Sequence, residues 1–129
     1  MWVPGRIILE LAAALITAGG LFDVFSPRLP SNLVRICGAN EGALRLAREL
    51  LRALGGSLIA VGAATAYLVF TAGASPAPST LLLILLLVVP AELLNALGMF
   101  RVGSPFYIPL SFALLTLLGV ALWWPHHMQ

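Results

Sequence analysis

Glu92 and Asn95 stand three residues apart just beyond an apolar run, Ser79 to Ala91, that is broken only by Pro90. An acid and an amide on one helix face can donate and accept hydrogen bonds to a ligand, and the acid can also transfer a proton. At membrane depth a carboxylate costs roughly 2.5–3.5 kcal/mol on insertion scales, so it must face protein or water and marks a candidate functional site. Met99 shares this face at i+7, whereas Arg101 falls on the far side of the helix. Pro90 removes one backbone donor two residues before the acid and is expected to bend the helix, which suits a cavity. The competing reading is an acid that bonds Asn95 or a nearby backbone group and only fixes helix register.

The expected companions of Glu92 are charges at the inner ends of the first two apolar stretches, Asp23 and Arg52. Glu41, Arg45, Arg48 and Glu49 continue this set toward water. If these groups converge, Glu92 is the acid, Asp23 or Glu41 the base or charge stabiliser, and Arg52 the holder of an anion or developing oxyanion. Met99, Arg48 and Glu49 would then contact substrate. The alternative for the arginines is a solvated stripe that binds lipid phosphate. Glu10 lies about 20 Å from Asp23 along a helix and belongs to another layer. His126-His127 is an adjacent pair in a terminal tail without further ligands, so no metal is expected. The chain carries no Gly-rich phosphate loop, no Ser/His/Asp set and no histidine pair placed for haem, so no cofactor is expected either.

These residues sit in a chain of 129 residues that is 60% hydrophobic and 9% charged, with a mean hydropathy of +1.02. Soluble domains carry about 25% charged residues, so the composition is that of an integral membrane protein. Seven arginines, no lysine and five acids leave a net charge of +2, which gives no sign of a nucleic-acid partner. The single cysteine, Cys37, excludes an internal disulfide.

Four apolar stretches are each near the length that crosses a hydrocarbon core of about 30 Å. The expected fold is all-α, one integral membrane domain over residues 1–129, with helices at about 7–25, 41–71, 79–100 and 105–124. The first could be mistaken for a signal peptide, but no small-x-small cleavage pattern precedes Asp23 and Pro27, so it is read as retained. Pro27 and Pro30 end it and open a connection of about a dozen residues. From Asn40 the pattern is amphipathic: Glu41, Arg45, Arg48 and Arg52 share one face opposite Ala43, Leu44, Ala47, Leu50, Leu51 and Leu54. This cytoplasmic extension runs through Gly55-Gly56 into the second span. Gly56, Ala60 and Ala64 recur every fourth residue, a spacing that lets membrane helices approach closely.

Six arginines lie in or beside the connections after spans one and three, against Arg6 alone on the other side. The positive-inside rule then places both connections in the cytoplasm and both termini outside. Trp2, Trp123 and Trp124 fall at the outer interface under this topology, and Tyr107 near the inner one.

The stretch with Glu41, Arg48 to Arg52, Gly55-Gly56 and Gly62, together with the Asp23 to Pro30 end of the first span, resembles the DoxX-like group and related small four-helix membrane families. The resemblance covers roughly residues 20 to 62 and implies a four-helix bundle without assigning a catalytic residue. The small multidrug exporters also have four spans and a glutamate in the first, here Glu10, but this chain departs from them in its arginine-rich first connection and its second intramembrane acid. The function expected is an inner-leaflet polar pocket for a lipophilic small molecule, with cofactor-free acid/base chemistry such as isomerisation, cyclisation or hydrolytic epoxide opening within reach of its residues. The alternative is a small accessory subunit packed through Gly56, Ala60 and Ala64. Membrane lipid, a homo-oligomer and a larger membrane complex are the partner classes that this composition allows.

Overall fold

A computed structural model describes residues 3–125 of the chain. Five helices follow one another: α1 (Pro4–Phe25), α2 (Ser31–Cys37), α3 (Glu41–Thr71), α4 (Pro78–Arg101) and α5 (Tyr107–Trp123). Local signals set their ends. Pro4 and Pro78 occupy the first turns of α1 and α4, where a missing amide breaks no hydrogen bond. Asn40 caps α3 by accepting from the Ala43 amide at 3.0 Å, and Glu41 adds an acid to its first turn. Ser79 and Thr80 follow Pro78 inside α4 and do not cap it; Ala77 holds the cap position without a side-chain bond.

The connection after α1 is not irregular throughout, as the prolines suggest, but contains the seven-residue helix α2. Pro30 is pre-set for its N-cap, and Gly38, at φ 61°, ends it by taking the left-handed conformation that other residues avoid.

Three helices, α1, α3 and α4, are long and apolar enough to cross a membrane. α5 is apolar but shorter, at 17 residues. Their outward faces are apolar as well: Phe22, Phe70 and Leu86 are 71%, 75% and 71% exposed. Such side chains belong against lipid, and the protein is an integral membrane protein.

α1 packs against α3 and α5, α4 packs against α5, and α4 touches α3 more sparsely. The tight seams are built by glycine. A Cβ on Gly20 would lie 2.5 Å from the Gly55 carbonyl oxygen, and one on Gly62 would lie 2.9 Å from the Ala13 carbonyl oxygen. α1 and α3 are therefore antiparallel and in near backbone contact, as small residues permit in a bilayer. Gly5 and Gly119 do the same for α1 and α5, where a Cβ on Gly5 would meet the Gly119 oxygen at 2.5 Å. The seam on α3 runs through Gly55, Leu58, Gly62, Thr65 and Val69. It is one residue round from the Gly56/Ala60/Ala64 row, of which Gly56 and Ala60 are exposed.

The core of Leu9, Ile16, Leu58, Val69, Leu81, Ile84, Val88, Val120 and Trp123 is closed by these seams. Thr65 and Thr116 enter it without penalty because each hydroxyl donates to the carbonyl four residues back, Val61 at 2.8 Å and Phe112 at 2.9 Å. The loose pair, α3 and α4, is where the bundle opens.

Candidate functional site

The gap between α3 and α4 is a cavity of about 590 Å³. This lies within the 300–1,000 Å³ common for small-molecule sites. Leu54, Ser57, Leu58 and Val61 line one wall and Ala91, Leu94, Asn95, Gly98 and Met99 the other, with Pro30 and Leu33 at the α2 end. A second cavity, about 770 Å³, lies between the ends of α1, α4 and α5. Asp23, Pro30, Leu58, Asn95, Met99 and Ser104 line both, so the two chambers share a wall.

Asp23, Asn95 and Ser104 give this wall its polar character. Asp23 is in the last turn of α1, with its Cβ side held against Gly55, whose own Cβ would come within 2.9 Å of the Asp23 Cβ. It is half-buried and, among the described residues, makes no hydrogen bond or ion pair. Asn95 projects from α4 on the cavity side, with Met99 one turn further on. Leu33 and Pro30 are held beneath by a latch: the Asn32 amide donates to the Gly103 carbonyl at 2.7 Å and to the Ser104 hydroxyl at 3.3 Å, tying α2 to the α4–α5 turn.

Glu92 is elsewhere. It is fully buried, its two carboxyl oxygens make no hydrogen bond of ordinary geometry among the described residues, and it lines neither cavity. It belongs to the inward stripe of Leu81, Ile84, Val88, Glu92 and Ala96, whereas Asn95 lies about 4.5 Å along the helix on an adjoining face. A carboxyl group buried in such a core without a partner costs stability.

The arginine and acid set on α3 does not join it. Arg52 donates to Glu49 at 2.9 Å, one turn away on the same helix, and both side chains are at least half exposed. Glu41, Arg45 and Arg48 are exposed as well, and none of these five lines either cavity. The convergence of Glu92, Asp23 and Arg52 expected from three helix ends is thus replaced by an Asp23/Asn95 pair, with Glu92 behind it and Arg52 outside. The cause is angular: Arg52 precedes Gly55 by three residues, but Gly55 sits so close to α1 that the long arginine side chain finds room only outward.

Glu10 accepts from Arg6 at 2.9 Å on the exposed side of α1. Among the described residues, no three His, Cys, Asp or Glu side chains are grouped to hold a metal ion. Trp2, His126 and His127 lie outside the described residues.

Several lining residues carry no signal in the sequence. Ser57 and Ser104 look like ordinary small polar residues, and Gly98 like a helix-packing glycine. Asn32 has a faint one, an amide directly after Pro30-Ser31, the composition of a turn. Compared with known proteins, the chain matches no protein-family model, no curated protein and no solved structure.

Proposed function

We propose that this protein binds a lipophilic small molecule in the chamber between α3 and α4, with Asp23 and Asn95 as its polar contacts. The observation that carries the reading is a cavity of ligand size whose lining is apolar apart from this pair and the small hydroxyl residues Ser57 and Ser104, next to helices that belong in a bilayer. Four spans, with the arginine-rich connections in the cytoplasm and both termini outside, put the chamber in the inner leaflet. A ligand would reach it sideways from lipid, since α3 and α4 touch only sparsely. Cofactor-free acid/base catalysis is a further step that Glu92 could support if its side chain turned past Asn95 toward the chamber.

Native mass spectrometry of protein extracted gently from its own membranes tests the reading. A discrete adduct of small-molecule mass supports it, and a chain that carries none from any mild extraction refutes it.

A second reading is favoured by a different observation. Gly56 has nothing within 4 Å of where its Cβ would lie, Ala60 is exposed, and Leu82, Leu83 and Leu86 line an outward face of α4. An accessory subunit of a larger membrane complex, or a homo-oligomer, would use such faces for close helix packing. Stoichiometric co-purification with other membrane chains that is lost in Ala60→Leu would support it.

A further inference from the structure

Among the described residues, Asp23 is the only acidic or basic side chain that lines either cavity. None of the seven arginines lines either one, and Asp23 has no hydrogen-bond or ion-pair partner among the described residues. A half-buried carboxylate without a partner is destabilising, and a ligand that brings a donor or a positive charge relieves that cost. An anionic head would instead meet a like charge with no compensating cation.

The apolar lining of the cavity runs along α3 on both sides of this carboxylate, from Ala47 to Val61. Asp23 packs against Gly55, and Val61 lies six residues further along α3, about 9 Å toward the bundle centre. Leu58, Ala91 and Leu94 line the same stretch. The hydrocarbon-lined stretch that leads from Asp23 toward Val61 is the outline of a single chain whose polar head rests on Asp23.

From the unpaired Asp23 on the wall of this channel, we infer that the ligand is a single-chain amphiphile with a cationic, hydrogen-bond-donating head, seated with the head on Asp23 and the chain between α3 and α4. The inference rests on the pocket reading and names the ligand class for it.

Three probes of equal chain length separate the possibilities: dodecylammonium, dodecanol and dodecanoate. Each is titrated by native mass spectrometry against the full chain in a neutral detergent, in wild type, Asp23→Asn, Asp23→Glu and Gly98→Leu. Gly98 lines the cavity with open space where a Cβ would go, so leucine there fills the channel without a backbone clash. Wild type should bind dodecylammonium at least about tenfold more tightly than dodecanoate, equivalent to 1.4 kcal/mol. Asp23→Asn should bring dodecylammonium down to the level of dodecanol, Asp23→Glu should keep the preference, and Gly98→Leu should abolish binding of every probe. Dodecanoate binding as well as dodecylammonium, or an unchanged preference in Asp23→Asn, overturns the cationic head while leaving the pocket intact. Probe binding that survives Gly98→Leu, or no binding of any probe to wild type, overturns the pocket reading itself.

Discussion

Replacing Gly20 with alanine sets a small gain in helix propensity against a backbone collision. The new methyl group would begin 2.5 Å from the Gly55 carbonyl oxygen and 2.8 Å from the Ile59 amide nitrogen, both backbone atoms that no rotamer change can move. Real Cβ contacts essentially never fall below 3.0 Å, so α1 and α3 must separate by at least about 0.5 Å at this point, and by about 0.9 Å to reach ordinary contact. Overpacking of this kind costs about 1–3 kcal/mol, and the rigidity of the opposing backbone puts Gly20→Ala in the upper part of that range. Alanine returns up to about 1 kcal/mol through helix propensity, leaving a net loss of about 1–2 kcal/mol. Gly56→Ala is the matched control. It lies on the same helix as Gly55 but meets nothing within 4 Å, so only the propensity gain remains and stability should rise by up to about 1 kcal/mol. Reversible unfolding in mixed micelles at rising fractions of denaturing detergent, followed by the fluorescence of the buried Trp123, measures both. Gly20→Ala as stable as wild type, or Gly56→Ala losing as much as Gly20→Ala, would refute the assignment of the α1/α3 seam. Gly55 also holds Asp23 in place, so Gly20→Ala should weaken ligand binding as well as folding.

Three other outcomes follow from the same geometry. Glu92→Met removes an unpaired buried acid for an apolar side chain of similar volume and should stabilise the fold by about 1–3 kcal/mol in the same unfolding assay; a loss of stability would mean that the carboxyl has a partner. Asn32→Ala removes the bonds to Gly103 and Ser104, and faster hydrogen exchange over residues 31–37 should result, with exchange in α1 and α5 unchanged. Arg52→Ala breaks only an exposed pair with Glu49, so stability and amphiphile binding should both stay at wild-type levels; a binding defect would return Arg52 to the site.

Much of the class of this protein was open to reading from residues alone, because the solvent does most of the selecting. A chain that is 60% hydrophobic cannot leave its backbone unpaired in lipid, and helices with apolar outer faces are the result. Prolines and caps act over a few residues and so are visible locally: Pro78 opens α4, and Asn40 opens α3. The short helix α2 was less visible, since seven residues between prolines and glycine show little periodicity.

Which side chains meet was not open to the same reading. Gly55 and Gly56 are adjacent, and each begins a row of small residues, Gly55 to Gly62 and Gly56 to Ala60; about 100° of helix rotation separates them. Only the partner α1, presenting Ala13, Thr17 and Gly20, decides that the first row is buried and the second exposed. A rotation of about 60° likewise turns Glu92 inward and Asn95 to the cavity from one four-residue stretch, and Arg52 is sent out to Glu49. Residue composition and order suffice for the membrane class and for the positions along the chain where polar groups interrupt it. Tertiary structure alone decided that Asp23 and Asn95 share a chamber, because a carboxylate at the end of one helix and an amide within another have no relation until α1, α3, α4 and α5 pack.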